Sequence, residues 1–238
     1  MTKVIILAGG EGTRLRPYTY VLPKPLMPIG DIPILEIILN QLRHYGFKDV
    51  IFALNQKAKL ISTFFGLGEE LGLNISYSYE DRNLGTAGPL TLIKNLDENF
   101  LVMNGDILTD LDYKKFMKVH VKNEAAVTIA SYPKSVKINL GVVETDDKNR
   151  VVEYIEKPRM IYQVSMGIYA YNKRVIKYIP YNEYFDFPDL IKKLISEGEN
   201  VQIYKPPLEC IWLDIGRVKD FQQSLKVFEA NKEKFLHL

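Results

Sequence analysis

Short apolar runs rich in β-branched residues alternate with helical patterns through the first half of the chain. That alternation predicts βαβ units around a largely parallel sheet. Val4 to Leu7 predicts the first strand. A stripe at Ile34, Ile37, Ile38, Gln41 and Leu42 has the period of a helix and stops at Gly46, and Val50 to Leu54 predicts the second strand. Lys57 to Phe65 reads as a helix up to Gly66, Asn74 to Tyr79 alternates like a strand, and Thr86 to Lys94 reads as another helix. Phe100 to Met103 is then a buried strand. Asn104-Gly105-Asp106 follows it, where open α/β sheets place chemistry, beyond the carboxyl ends of their strands.

The second half changes character. Strands are predicted at Ala125 to Ser131, Leu140 to Glu144, Val151 to Ile155 and Val164 to Tyr171, joined by turns such as Asp146-Asp147-Lys148-Asn149. They predict an added mixed or antiparallel β subregion. A helix from about Pro188 to Ser196, a strand at Val201 to Tyr204, the apolar run Cys210 to Leu213 and a terminal helix from about Val218 complete the expectation. No repeat, linker or low-complexity segment divides the chain, so residues 1–238 are expected to form one domain.

Composition narrows the class of protein. Hydrophobic residues make up 47% and charged residues 25%, the balance of a folded globular chain. The net charge of +2 is spread along the sequence and supplies no field for nucleic acid or an anionic membrane, so any anion site must be local. Cys210 is the only cysteine; it excludes an internal disulfide and reads as a small buried thiol rather than a nucleophile. The opening Val4 to Ala8 is too short for a signal peptide, and no apolar run reaches the roughly 18 residues of a membrane span, so a cytoplasmic location is expected. His44, His120 and His237 show no metal-ligand spacing and are expected at the surface.

The strongest chemistry lies at the start. Leu7-Ala8-Gly9-Gly10-Glu11-Gly12-Thr13-Arg14-Leu15 puts three glycines within four positions after a strand, where backbone N–H groups can approach phosphate oxygens. Leu15 stands where a G-x-G-x-x-G dinucleotide fingerprint needs its third glycine, and no Gly-Lys follows as a Walker A loop requires. Two cations flank the turn instead: Arg14, and Lys24 inside Pro23-Lys24-Pro25, where the prolines stiffen the backbone around the charge.

The string from Leu7 to Pro17, followed by Pro23-Lys24-Pro25-Leu26, resembles the signature of the sugar-1-phosphate nucleotidylyltransferases, most of all their mannose-1-phosphate guanylyltransferase-like branch. The resemblance continues through Leu84-Gly85-Thr86-Ala87-Gly88, Asn104-Gly105-Asp106, Glu156-Lys157-Pro158 and Trp212 to Gly216. It implies an α/β, Rossmann-like nucleotide-diphospho-sugar transferase fold: a mixed, mostly parallel sheet flanked by helices, with a smaller added β subregion. It also implies an NTP and a sugar 1-phosphate as substrates, and Mg2+ as cofactor. Longer relatives add a carboxyl-terminal β-helix, for which this chain has no matching segment.

The resemblance also implies roles. Leu7, Ala8, Gly9, Gly10, Gly12, Thr13, Gly85 and Thr86 would bind the nucleotide. Arg14 would engage the β- and γ-phosphates with its planar fork, and Lys24 the α-phosphate, where charge builds in the transition state. Asp106 and Asp214 each follow an apolar stretch and supply the one or two carboxylates that magnesium takes beside phosphates and water. Gly141, Glu156, Lys157 and Gly167 would meet the sugar phosphate.

Base choice has a chemical argument of its own. Guanine offers two adjacent donors that one carboxylate accepts together, whereas uracil and thymine offer one donor between acceptors and suit an amide. Glu80 therefore favours GTP, with Asp81 a competing candidate and uridylyl, thymidylyl or cytidylyl transfer the alternatives. Mannose or heptose 1-phosphate is the favoured acceptor. A nucleotide-sugar glycosyltransferase would carry Asp-x-Asp at a strand end, which Asn104 to Leu108 lacks, and a non-catalytic nucleotide sensor would not need Arg14, Lys24, Asp106 and Asp214 together. The aromatic stretch Tyr178 to Phe187 reads as packing, with a sugar-facing wall or subunit contact as the second reading. The terminal helix reads as a core element, with a homodimer seam second.

Overall fold

The computed structural model describes residues 2–10, 12–55, 58–216 and 218–237. Glu11 of the opening loop and Lys57, the expected first residue of a helix, lie outside the described residues. In chain order the elements are β1 (Val4–Leu7), β2 (Pro28–Ile29), β3 (Ile32–Pro33), α1 (Ile34–His44), β4 (Asp49–Asn55), α2 (Lys59–Phe65) and β5 (Asn74–Glu80). Then come β6 (Asn99–Asn104), β7 (Ile107–Thr109), α3 (Tyr113–Lys122), β8 (Val127–Lys137), β9 (Gly141–Thr145), β10 (Val151–Glu156) and β11 (Arg159–Asn172). The chain continues with α4 (Phe187–Ser196), β12 (Val201–Tyr204), β13 (Trp212–Asp214), α5 (Val218–Ala230) and α6 (Lys232–Leu236).

Seven strands form the central sheet in the order β12-β8-β11-β6-β1-β4-β5. β1 pairs in parallel with both β4 and β6, and β11 runs antiparallel to β6 and β8. The chain moves outward from β1 to β4 and β5 and then returns to β6 on the other side of β1. The direction of winding therefore reverses between β1 and β6, which opens a crevice at their carboxyl ends. Side chains alternate along β1, so Val4 and Ile6 enter the core on one face and Ile5 the core on the other. Helices α1, α2, α3, α5 and α6 cover the first face and α4 the second.

The stripe expected for α1 is realised. Ile34, Ile37, Ile38 and Leu42 are fully buried, each contributing about 1.5–3 kcal/mol relative to exposure. Gln41 shares that face because its Nε2 donates to the carbonyls of Thr109 and Phe235, both at 2.9 Å, tying α1 to β7 and α6.

Three expectations need correction. Residues 86–94 form a short 3-10 turn at Gly88–Leu92 and no α-helix: Leu90 and Ile93 donate to the carbonyls three residues back, of Ala87 and Leu90, and Gly88 and Pro89 are the two poorest helix formers. The sequence reading passed over α3, although Asp112 caps it by accepting from the Lys115 amide at 2.8 Å, and Tyr113, Phe116, Met117 and His120 form its buried face. His120 is accordingly no surface residue. Its Nδ1 lies 2.8 Å from Thr128 Oγ1 and its Nε2 3.1 Å from Asn99 Oδ1. Among the expected β-subregion strands, β8 and β11 begin inside the central sheet and run out of it as a long ribbon, leaving β9 and β10 as a separate hairpin.

Burial, assisted by the charge of Arg174, pushes the His120 imidazole down to about 4 from its ordinary 6.5. The folded state thus keeps this ring neutral where the unfolded chain already takes a proton. Stability is expected to fall as pH drops from 6.5 toward 4, by at most about 3 kcal/mol, and His120→Gln should flatten that slope in urea titrations at stepped pH.

Candidate active site

Four segments meet at the crevice. The loop after β1 is held by Leu7, whose carbonyl accepts from the Gly105 amide at 3.0 Å, and by Ala8, whose amide donates to the Ala53 carbonyl at 3.1 Å. Gly12 has φ +62°, and a Cβ there would stand 3.0 Å from Thr19 Cγ2 and 3.2 Å from Lys24 Cβ. Only glycine lets the loop fold this tightly onto the segment that carries the lysine. The amides of Gly9 and Gly10 donate to no acceptor among the described residues.

Lys24 opens a 3-10 turn at Lys24–Leu26 and is 8% exposed, with its Nζ donating to Asp106 Oδ2. Asp106 follows β6, so the pair joins the opening loop to the neighbouring strand across the point where the winding reverses.

These residues line an open cleft of about 710 Å³. Leu7, Ala8, Gly9, Gly10, Gly12, Thr13, Arg14, Lys24, Glu80, Gly85, Thr86 and Asp106 all face it. Glu80 ends β5; its Oε2 accepts from the Leu84 amide at 3.1 Å, while a Cβ at Gly9 would lie 3.4 Å from its Oε1. Burial pushes the Glu80 carboxyl above its ordinary value, opposed by that amide bond. The cleft therefore presents Arg14, Lys24 and loop amides with no acceptor among the described residues, a chemistry for a polyphosphate, and beside the loop carboxylate and amide acceptors suited to base or ribose donors.

The remaining expected residues lie outside the lining. Asp214 pairs with Ile107 in the β7–β13 ladder, opposite the residue that follows Asp106. Gly167 sits at a bulge of β11 with φ +74°, and a Cβ there would collide with Ile107 Cδ1 at 2.3 Å and Asn104 Nδ2 at 2.8 Å. Gly141 faces Glu156 across the β9–β10 hairpin, under the ring of Tyr154, which would stand 2.1 Å from an added Cβ. Glu156 and Lys157 pair at 3.1 Å in solvent. Both glycines thus have a packing reason of their own.

The sequence of the family described as Nucleotidyl transferase matches residues 3–231. The chain belongs to that family. This nucleotidyl transferase is similar to UTP–glucose-1-phosphate uridylyltransferase of Synechocystis sp., 34% identical over 94% of this chain and 62% of that protein. It is similar too to mannose-1-phosphate guanyltransferase of Candida albicans, 33% identical over 99% of this chain and 69% of that one. The chain thus spans less than two thirds of the length of the first of these relatives. The structure of HddC from Yersinia pseudotuberculosis complexed with GMP-PN superposes with a TM-score of 0.71 at 25% identity, covering 96% of this chain and all of that one. The fold is the Rossmann-like fold of nucleotide-diphospho-sugar transferases, with its added β subregion.

Sequence reasoning missed Asn55, Arg82 and Asp186, which also line the cleft, and read Tyr184, another lining residue, first as packing within the stretch Tyr178 to Phe187. Asn55 ends β4 and donates to the Gly9 carbonyl, so the rule that picked Asp106 at a strand end would have found it. Tyr184 and Asp186 come from a loop about a hundred residues further along the chain and carry no spacing signal. Cys210 is buried, and burial pushes its thiol up to about 12, which leaves it inert. Among the described residues no helix is long and apolar enough to cross a membrane, and no cluster of three or more His, Cys, Asp or Glu forms a metal cage.

Proposed function

We propose that this nucleotidyl transferase moves a nucleotidyl group from an NTP to a sugar 1-phosphate, with GTP and a mannose- or heptose-type acceptor favoured. The observation that carries this reading is the meeting of the glycine loop, Arg14, Lys24 and Asp106 in one cleft. An oxygen of the sugar phosphate attacks the α-phosphorus, the bond from that phosphorus to the bridging oxygen breaks, and pyrophosphate leaves. Little covalent work falls to the protein, so catalysis is positioning and charge neutralisation. The loop amides and Arg14 take the β- and γ-phosphates, and Lys24 meets the charge that develops at the α-phosphate.

Asp214 lies opposite Ile107, the residue that follows Asp106. Two carboxylates, with phosphates and water completing the shell, fit Mg2+ and not a closed zinc site. Bound there, Mg2+ supplies neutralisation of the polyphosphate charge. Glu156, Lys157, Gly141 and Gly167 are the proposed sugar-phosphate contacts.

Glu80 supports GTP, since Oε1 faces the loop while Oε2 is kept an acceptor by the Leu84 amide. The GMP-PN complex of HddC and the guanyltransferase from Candida albicans support the same base. The Synechocystis relative, named for UTP, makes uridylyl transfer the second reading. Pyrophosphate release from a matrix of NTPs against mannose, heptose and glucose 1-phosphates tests the proposal. GTP should turn over fastest, and Glu80→Gln should lower kcat/KM for GTP about 10- to 100-fold relative to UTP. No pyrophosphate from any pair sinks the function, and an unchanged ranking in Glu80→Gln sinks the base assignment.

A further inference from the structure

Asp186 stands at the N-cap of α4, yet its side chain makes no bond to that helix. The carboxylate crosses to the segment at 84–88 instead, where Oδ1 accepts from both the amide and the hydroxyl of Thr86, each at 2.9 Å. Thr86 Oγ1 in turn accepts from the Phe187 amide at 2.7 Å, capping α4 in place of the aspartate. Tyr184 donates its phenol to Oδ2. Backbone bonds run alongside: Phe185 donates to the Leu84 carbonyl at 3.0 Å, and Ala87 and Gly88 donate to the Phe185 carbonyl at 2.9 and 3.0 Å. Gly85, at φ +76°, lies so close that a Cβ would stand 2.8 Å from Asp186 Oδ1.

Gly85 and Thr86 form part of the cleft wall, and the turn they belong to has no helix of its own to fix it. The amides of Thr86, Ala87 and Gly88 are satisfied from a loop a hundred residues away, while Gly85 donates to Asn83 Oδ1 at 3.0 Å. We propose that Asp186, steadied by Tyr184, is a positioning residue that holds the Gly85–Thr86 wall in the shape that receives the nucleoside part of the NTP. This rests on the reading of the cleft as the NTP site. The three donors around the carboxylate also keep its acid below the usual range, the Tyr184 phenol first among them, so the clasp stays ionised at neutral pH.

The test compares Asp186→Ala, Asp186→Asn, Tyr184→Phe and Thr86→Val. Alanine removes every acceptor. Asparagine keeps an oxygen for both Thr86 donors and loses only the full acceptance of the Tyr184 phenol. Steady-state kinetics with the NTP varied at saturating sugar 1-phosphate should give a KM for the NTP raised about tenfold or more in Asp186→Ala, with kcat within about threefold. Asp186→Asn should stay within about threefold of the parent KM, and Tyr184→Phe, which removes a donor that steadies the carboxylate, should fall between Asp186→Asn and Asp186→Ala. Adding Thr86→Val to Asp186→Ala should cost little more than Asp186→Ala alone, since both break the same contact. Amide exchange of the ligand-free protein should quicken at Thr86 in the alanine variant and not in the asparagine one. That readout reports on the clasp even if Asp186→Ala folds poorly, because Asp186→Asn and Thr86→Val bracket it.

Equal losses in Asp186→Ala and Asp186→Asn, or a fall in kcat with KM unmoved, overturn the assignment. So does a KM effect on the sugar phosphate instead of the NTP. Should the parent protein release no pyrophosphate with any substrate pair, the transferase reading fails separately. The Kd for GTP by calorimetry then replaces KM, and a Kd unchanged by Asp186→Ala overturns the clasp on its own.

Discussion

Replacing Asp106 with alanine is expected to lower kcat for pyrophosphate release by about a thousandfold or more, the scale of losing a principal electrostatic group of a transition state. Asp106 is proposed both as a magnesium carboxylate and as the partner of Lys24, so its removal strips two charges' worth of organisation at once. The fold should survive with a loss of about 1–3 kcal/mol, because a mostly buried ammonium is left without its counter-charge. Asp106→Asn separates the two effects. The amide still offers Lys24 an oxygen, so thermal stability should return close to that of the parent while activity remains low at every magnesium concentration. Full turnover in either variant, measured across about 1 to 20 equivalents of Mg2+ per NTP, removes Asp106 from the reaction.

Much of the frame that presents these groups was legible without coordinates. The stripe from Ile34 to Leu42 specifies α1 because a helix buries one face, and Val4 to Leu7 specifies β1 because a central parallel strand is apolar on both faces. The opening loop was legible because glycine and proline report backbone shape directly, as Gly12 and the prolines around Lys24 do. What stayed hidden depends on distant partners. Thr86 to Lys94 has helical spacing, yet it closes as a 3-10 turn at Gly88–Leu92 and is tied through Thr86, Ala87 and Gly88 to Asp186 and Phe185, partners that no local pattern announces. That Asp214 lands opposite Ile107, the residue after Asp106, follows from the short β7–β13 ladder, whose register lies in pairing and not in spacing. His120 misled because a lone histidine looks polar, whereas Thr128 and Asn99 satisfy both of its nitrogens inside the core.

Lys24→Ala should produce the second large loss, with a different kinetic signature. The ammonium is aimed at the α-phosphate, where charge grows only as the new bond forms, so kcat should fall about 10²- to 10³-fold while the KM for the NTP moves by less than about threefold. Arg14 and the loop amides still hold the outer phosphates in this variant, which is why ground-state binding persists. Lys24→Met tests whether the stem alone matters: it refills the space beside Pro25 and should recover stability without recovering rate. Lys24→Arg should not rescue either, although charge is kept. The lysine is 8% exposed in a turn fixed by two prolines, and a planar guanidinium needs width that this turn does not offer. If instead the KM rises in proportion to the loss of kcat/KM and kcat holds, Lys24 binds the nucleotide uniformly and the transition-state role passes to Arg14.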